Sequence, residues 1–268
     1  DALENAIEDS RRLSEQLEKI QREYIKTEQM EWSQKKELDR AAETQKAVQD
    51  KIEQVQESLD KTMRELSDNE MTSQQIGEKL EEIQKLMQEI DSKELQKYMD
   101  QLRQAMEKLS PEQIKQALEN LQMNTKEMLE RLERTASLLR ELQKEQRMEE
   151  LVRQTQDLME KQADLNEKTG DASEKDSKKM NDLAKQQEEL ARQADEMQKG
   201  AKDLEQEMED PKVKEELQQM SQEQEGPQQN MRQASKNLQQ QQQSPAMQQQ
   251  QQAMEKMVSL FKRANKAQ

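Results

Sequence analysis

Apolar residues recur along this chain in alternating steps of three and four. From Leu38 the series runs Ala41, Gln45, Val48, Ile52, Val55, Leu59, Thr62 and Leu66. That spacing keeps one narrow seam facing a partner in a left-handed coiled coil. A second series reads Ile76, Leu80, Ile83, Met87 and Ile90, and after a small phase slip Leu95, Met99, Leu102, Met106 and Leu109. A third runs from Ile114 through Leu118, Leu121, Thr125, Met128, Leu132, Thr135 and Leu139 to Leu142. The same spacing then continues in a different frame, as Met148, Leu151, Thr155, Leu158, Gln162, Leu165 and Thr169. A change of frame rotates the seam around the helix. The most regular series is the fourth, from Met180 through Leu183, Gln187, Leu190, Ala194, Met197, Ala201 and Leu204 to Met208.

Between the seams, acids stand four residues before bases, as in Glu15 with Lys19, Glu57 with Lys61 and Glu188 with Arg192. This is the favourable orientation for an exposed helical pair, worth about 0.2–0.5 kcal/mol. All four prolines follow a plausible boundary residue, at Ser110–Pro111, Asp210–Pro211, Gly226–Pro227 and Ser244–Pro245. Proline is tolerated in the first helical turn, where its missing N–H has no partner in any case, so each reads as a helix start. Gly170 to Lys179 has no large apolar residue and reads as an open connection, with Ser67 to Gln75 a weaker one. The expected organisation is heptad-repeat helices over 1–169, a connection at 170–179 and a second helical set over 180–225. A Gln-rich, partly disordered stretch follows at 226–252, then a basic amphipathic terminal helix at 253–268.

Composition narrows what such helices can do. The chain has 268 residues, 38% charged and 30% hydrophobic, with one Phe, one Trp and two Tyr. That is too little bulky apolar side chain for a thick core, and it calls for helices that each bury a stripe. Gly and Pro number four each, and the rest is dominated by strong helix formers. The net charge of −15 comes with no long basic block, so a nucleic-acid partner is not expected. No run approaches the ~20 apolar residues needed to cross a bilayer. With no His and no Cys there is no imidazole base, no thiolate nucleophile and no ordinary zinc site. The four glycines are far apart, so no phosphate-cradling loop can form locally. Neither catalysis nor a bound cofactor or metal is expected.

Candidate contacts are therefore surfaces. Eight of the 18 Met fall on these seams, which reads as a soft, adaptable core, and alternatively as a seam that accepts a partner helix. Trp32 sits in the polar segment Gln29 to Lys36, as a docking contact or as cover for the flank of a neighbouring helix. At the C-terminal end Met254, Met257, Val258 and Phe261 share a face with Ala264. Lys262 and Arg263, with Lys256 and Lys266, make this end basic. A basic amphipathic helix can lie on an anionic membrane or dock in a groove; otherwise it packs on its own bundle.

The stretch Leu109-Ser110-Pro111-Glu112-Gln113-Ile114, Ala117-Leu118-Glu119, and Leu129 to Thr135 (Leu-Glu-Arg-Leu-Glu-Arg-Thr), ending near Asp164-Leu165-Asn166-Glu167-Lys168-Thr169, carries a further hint. Over about residues 75 to 250 the chain resembles an uncharacterised family of large bacterial membrane-anchored coiled-coil proteins. In that family transmembrane helices precede a long Gln- and Glu-rich helical region. The resemblance implies the soluble helical part of a bacterial cell-envelope protein, and it carries over no functional residue. Taken together, the sequence predicts an all-α chain of long coiled-coil helices, folded back as helical hairpins or an elongated bundle. An extended rod that pairs with a second chain as a homo-oligomer satisfies the same heptads. The expected role is structural or scaffolding, with protein partners, either copies of itself or other coiled-coil helices.

Overall fold

The structure is a computed structural model that describes residues 2–27, 32–67, 74–90, 92–108, 110–173, 175–222 and 226–268. Among the described residues there are nine helices and no strand. In order these are α1 (Ala2–Thr27), α2 (Trp32–Ser67), α3 (Gln74–Gln88), α4 (Ser92–Glu107), α5 (Pro111–Gly170), α6 (Ser177–Glu207), α7 (Pro211–Gln222), α8 (Pro227–Gln239) and α9 (Gln243–Ala267). They divide into two compact units, Asp1–Leu142 and Gln143–Gln268. The division falls inside α5, not at the connection expected over 170–179. Its position coincides with the frame change between Leu142 and Met148, where the buried stripe of α5 stops serving one core and starts serving another.

In the first unit the ion pairs reveal how the helices run. Lys51 meets Asp9 and Lys19 meets Glu37, so residue numbers rise on α1 as they fall on α2, and the two are antiparallel. Arg11–Glu133, Lys126–Glu18 and Arg140–Glu4 set α1 antiparallel to α5 in the same way. Arg134–Glu82 and Lys79–Glu141 do so for α3 and α5. α3 and α4 follow one another as a single rod interrupted between Gln88 and Ser92, at the place where the sequence shows its phase slip. The result is four rods, up, down, up and down, with the third rod broken. Each surface pair contributes little, about 0–1 kcal/mol; the seam does more. Leu13, Leu17, Ile20, Leu38, Ile52, Ile76, Met99, Leu102, Leu118, Leu121 and Leu132 are all buried in one continuous core. Burying a side chain of this size stabilises by about 1.5–3 kcal/mol.

The second unit repeats the plan with different residues. The end of α5 pairs antiparallel with α6 through Thr155 Oγ1–Met197 Sδ and Gln162–Gln187. α6 pairs antiparallel with α7 through Gln198 and Ser221, and with α8 through Ser235, whose hydroxyl donates to the Ala184 carbonyl at 2.8 Å. α9 then runs back along α8 (Asn230–Gln249) and α7 (Arg263–Glu216). Again there are four rods, and again the third is in two pieces, α7 and α8. Here the buried stripe is rich in alanine: Ala184, Ala191, Ala194 and Ala201 on α6, Ala234 on α8, and Ala246, Ala253, Ala264 and Ala267 on α9. Small side chains let helix axes approach closely, so a core forms without bulk.

This bears on the Gln-rich residues 226–252, where partial disorder was expected and the structure has α8, a short turn and the start of α9. Met231, Ala234, Leu238, Ala246 and Ala253 supply a narrow apolar stripe, and the long amides beside it satisfy one another. The α8–α9 turn closes with Gln242 N–H bonded to Asn237 O at 2.8 Å and Gln241 N–H to Leu238 O at 3.0 Å. That is the Schellman pattern of a helix C-terminus, with Gln241 at φ 59° in the left-handed position usually taken by glycine. At the starts of α6 and α7, Asp176 Oδ1 accepts from the Lys179 amide at 3.0 Å and Asp210 Oδ1 from the Lys212 amide at 2.7 Å. These acids satisfy amides that the first turn leaves free.

Candidate functional site

The chemistry of the second unit gathers around α9. On one side α9 faces a buried polar layer. Gln162 and Gln187 exchange reciprocal hydrogen bonds, Nε2 to Oε1, at 3.1 and 2.7 Å. Gln250 donates to Gln187 Oε1 at 2.8 Å and to Thr169 Oγ1 at 3.0 Å, and the Thr169 hydroxyl donates to the Leu165 carbonyl. All four of these side chains are fully buried. Three rods thus meet in one hydrogen-bonded layer, from α5, α6 and α9. Two turns earlier on α9, Gln243 Nε2 donates to the carbonyls of Thr169 and Ala172 at 2.6 and 2.9 Å, at and just past the end of α5, where carbonyls run out of intrahelical donors. The layer is not free of cost, since Gln250 Oε1 has no hydrogen-bond partner. What it provides is register: sliding α9 by one turn would leave several buried amides unpaired, at about 1–3 kcal/mol each.

The opposite flank of α9 is polar and paired. Lys256 reaches Asn230 Oδ1 at 2.8 Å. Glu216 on α7 is buried and receives both Lys266 and, at 3.3 Å, Arg263. The hydrogen bond from Lys266, with its charge and with Arg263, holds the Glu216 carboxyl below its usual range against the opposing effect of burial. A carboxylate with a depressed folded-state pKa adds stability that is present above its unfolded pKa and is lost as pH falls through the folded one. Thermal melts should therefore show Glu216→Gln less stable than the native chain at neutral pH. The gap should narrow below about pH 4.5, the unfolded value, as the native carboxyl is protonated. A gap that stays constant down to pH 3 would mean that this pairing contributes nothing.

The sequence-derived contact residues are distributed unevenly. Met257 is buried in the core of the unit at 1% exposure, alongside Leu260, Ala253 and Ala264. The buried face of the helix is therefore displaced from the face drawn through Met254, Val258 and Phe261. Those three are half-buried, Lys262 is exposed, and Arg263 is half-buried against Glu216. Trp32 opens α2, and its side chain lies outside the described residues. The polar layer was not singled out from sequence. Gln162, Thr169 and Gln187 stand at seam positions, which was the available signal, while Gln250 is hidden within a run of identical residues.

Elsewhere the surface offers shallow clefts. One of about 330 Å³ lies between α4 and the start of α5, lined by Gln101, Gln104, Lys108, Gln113, Gln116 and Asn120. Its amides can hydrogen-bond a passing surface, but it holds no acid–base pair. Among the described residues no three carboxylates converge as a metal ion would require, and no helix is long and apolar enough to cross a membrane. No family model, no curated protein and no solved structure matches the chain.

Proposed function

We propose that this chain is a structural helical module, a scaffold or interaction element whose work is to present helix surfaces in a fixed arrangement. One observation supports the reading above others: the seams are consumed internally, and a buried amide layer selects one register for them. A protein that receives a partner helix on a Met-rich seam would keep that seam available. Here Met87, Met99, Met106, Met128, Met148, Met180, Met197, Met220, Met231 and Met257 are buried against neighbouring helices of the same unit. The family resemblance adds a setting, the soluble helical part of a larger bacterial envelope protein. A second reading, contact through the C-terminal helix, is favoured by the half-buried strip Met254, Val258 and Phe261.

Peroxide footprinting read by mass spectrometry separates the scaffold from the open-seam module. Thioether oxidation follows exposure. Met123 and Met247 are 56% and 42% exposed, whereas Met99, Met180 and Met231 are at 0%. The scaffold reading expects the first two to oxidise at least about tenfold faster than the last three. Equal rates would show an open seam and favour the partner-receiving module.

A further inference from the structure

α9 carries two seams. The first, through Ala246, Ala253, Met257, Leu260, Ala264 and Ala267, is buried in its own unit. The second runs through Met247, Met254, Val258 and Phe261, about 100° around the helix at 3.6 residues per turn. Its steps of seven, four and three are again heptad spacing. Met247 is 42% exposed, and Met254, Val258 and Phe261 are half-buried without belonging to the core of the unit. The strip is about 21 Å long at ~1.5 Å per residue, and it includes the single Phe of the chain.

Charge identifies what fits on it. With Met247, Met254 and Phe261 at d and Gln251, Val258 and Asn265 at a, the e positions hold Glu255 and Lys262. Both are exposed, and neither has a hydrogen-bond or ion-pair partner among the described residues. Arg263, Lys266 and Lys256, on the other flank, are all engaged. The g positions, Gln250, Met257 and Ala264, are at 0%, 1% and 0% exposure and belong to the unit's own interior. A parallel partner helix would need g to meet e; an antiparallel one needs e to meet e. We infer that this flank of α9 is a self-association surface, on which α9 of a second copy packs antiparallel about a two-fold axis. Glu255 then faces Lys262 of the second copy, and the reciprocal pair forms by symmetry. Met254, Val258 and Phe261 of both copies fill the space between.

The inference rests on the scaffold reading and names its partner. Sedimentation equilibrium of the whole chain over roughly 1–100 µM is the test, since an interface this short supports only modest affinity. The native chain should form dimers. Phe261→Glu should abolish them, with helical circular dichroism unchanged. Glu255→Lys and Lys262→Glu, each setting like charges opposite one another twice per dimer, should weaken association about tenfold. The double variant, with the charges exchanged, should restore it to within about threefold. A native chain that is monomeric throughout, single reversals without effect, or an exchange that fails to restore association would each overturn the inference. Met123 on α5 is not on this strip, so its oxidation against that of the buried Met99, Met180 and Met231 tests the scaffold reading whatever these results are.

Discussion

Gln187→Glu is expected to destabilise the second unit by about 3–5 kcal/mol at neutral pH. The side chain is fully buried between Gln162 and Gln250. A carboxylate there can still accept from both neighbours, but it can no longer donate to Gln162 Oε1, and it brings a charge into a buried network of neutral groups. The nearest groups on the network are amides and the Thr169 hydroxyl. Burial raises the pKa of the introduced carboxyl in the folded state above its unfolded value. The penalty is therefore largest above the folded pKa, and it declines as pH falls towards the unfolded one, because the protonated acid can donate where the amide did. Urea unfolding followed by circular dichroism at pH 7 and pH 4 should show a large loss at the first and a smaller one at the second. A variant as stable as the native chain at pH 7 would mean that the layer is open to water.

Much of the fold can be read in the heptads, because a helix that buries only a stripe must show that stripe as periodicity. The seams from Leu38 to Leu59, Ile76 to Ile90 and Met180 to Leu204 name residues that the structure buries. Connectivity was less legible. The reversal between α1 and α2 is marked in the sequence only by a poorly kept stripe around Gln29 to Lys36, with no Pro or Gly to punctuate it. The frame change after Leu142 looks like a slip within one rod. Only the packing shows that one continuous helix serves two cores. The α8–α9 turn uses Gln241 where a glycine would have announced it.

The site was the least legible part. A buried Gln at a seam position looks the same in sequence as a gap in the seam, and its value depends on which other Gln it meets. Gln162 finds Gln187, and Gln187 finds Gln250, from rods 25 and 63 residues apart in the chain. Polar side chains of one type in a run carry no phase, so Gln243 and Gln250 could not be told from their exposed neighbours Gln248, Gln251 and Gln252. The second strip on α9 has the opposite history. Met254, Val258 and Phe261 stood out in sequence as a single face with Met257, and the structure separates that face into a buried seam and a half-buried flank.

The largest effect expected of the native chain concerns these Gln-rich residues. A chain closed on itself holds Pro227–Gln239 and Gln243–Ala267 as the rods that complete its second core. Their amides should open only with the unit. For a unit of ordinary stability, about 5 kcal/mol, that slows hydrogen exchange by roughly three to four orders of magnitude. A polar, Gln-rich segment without a core would be unprotected. Native-state hydrogen–deuterium exchange of the whole chain, resolved by peptide, is the direct test. Peptides from 227–239 and 243–267 should be protected to the same degree as those from α6. Free exchange across 227–252, with α6 still protected, would contradict it and leave the second unit without its third and fourth rods.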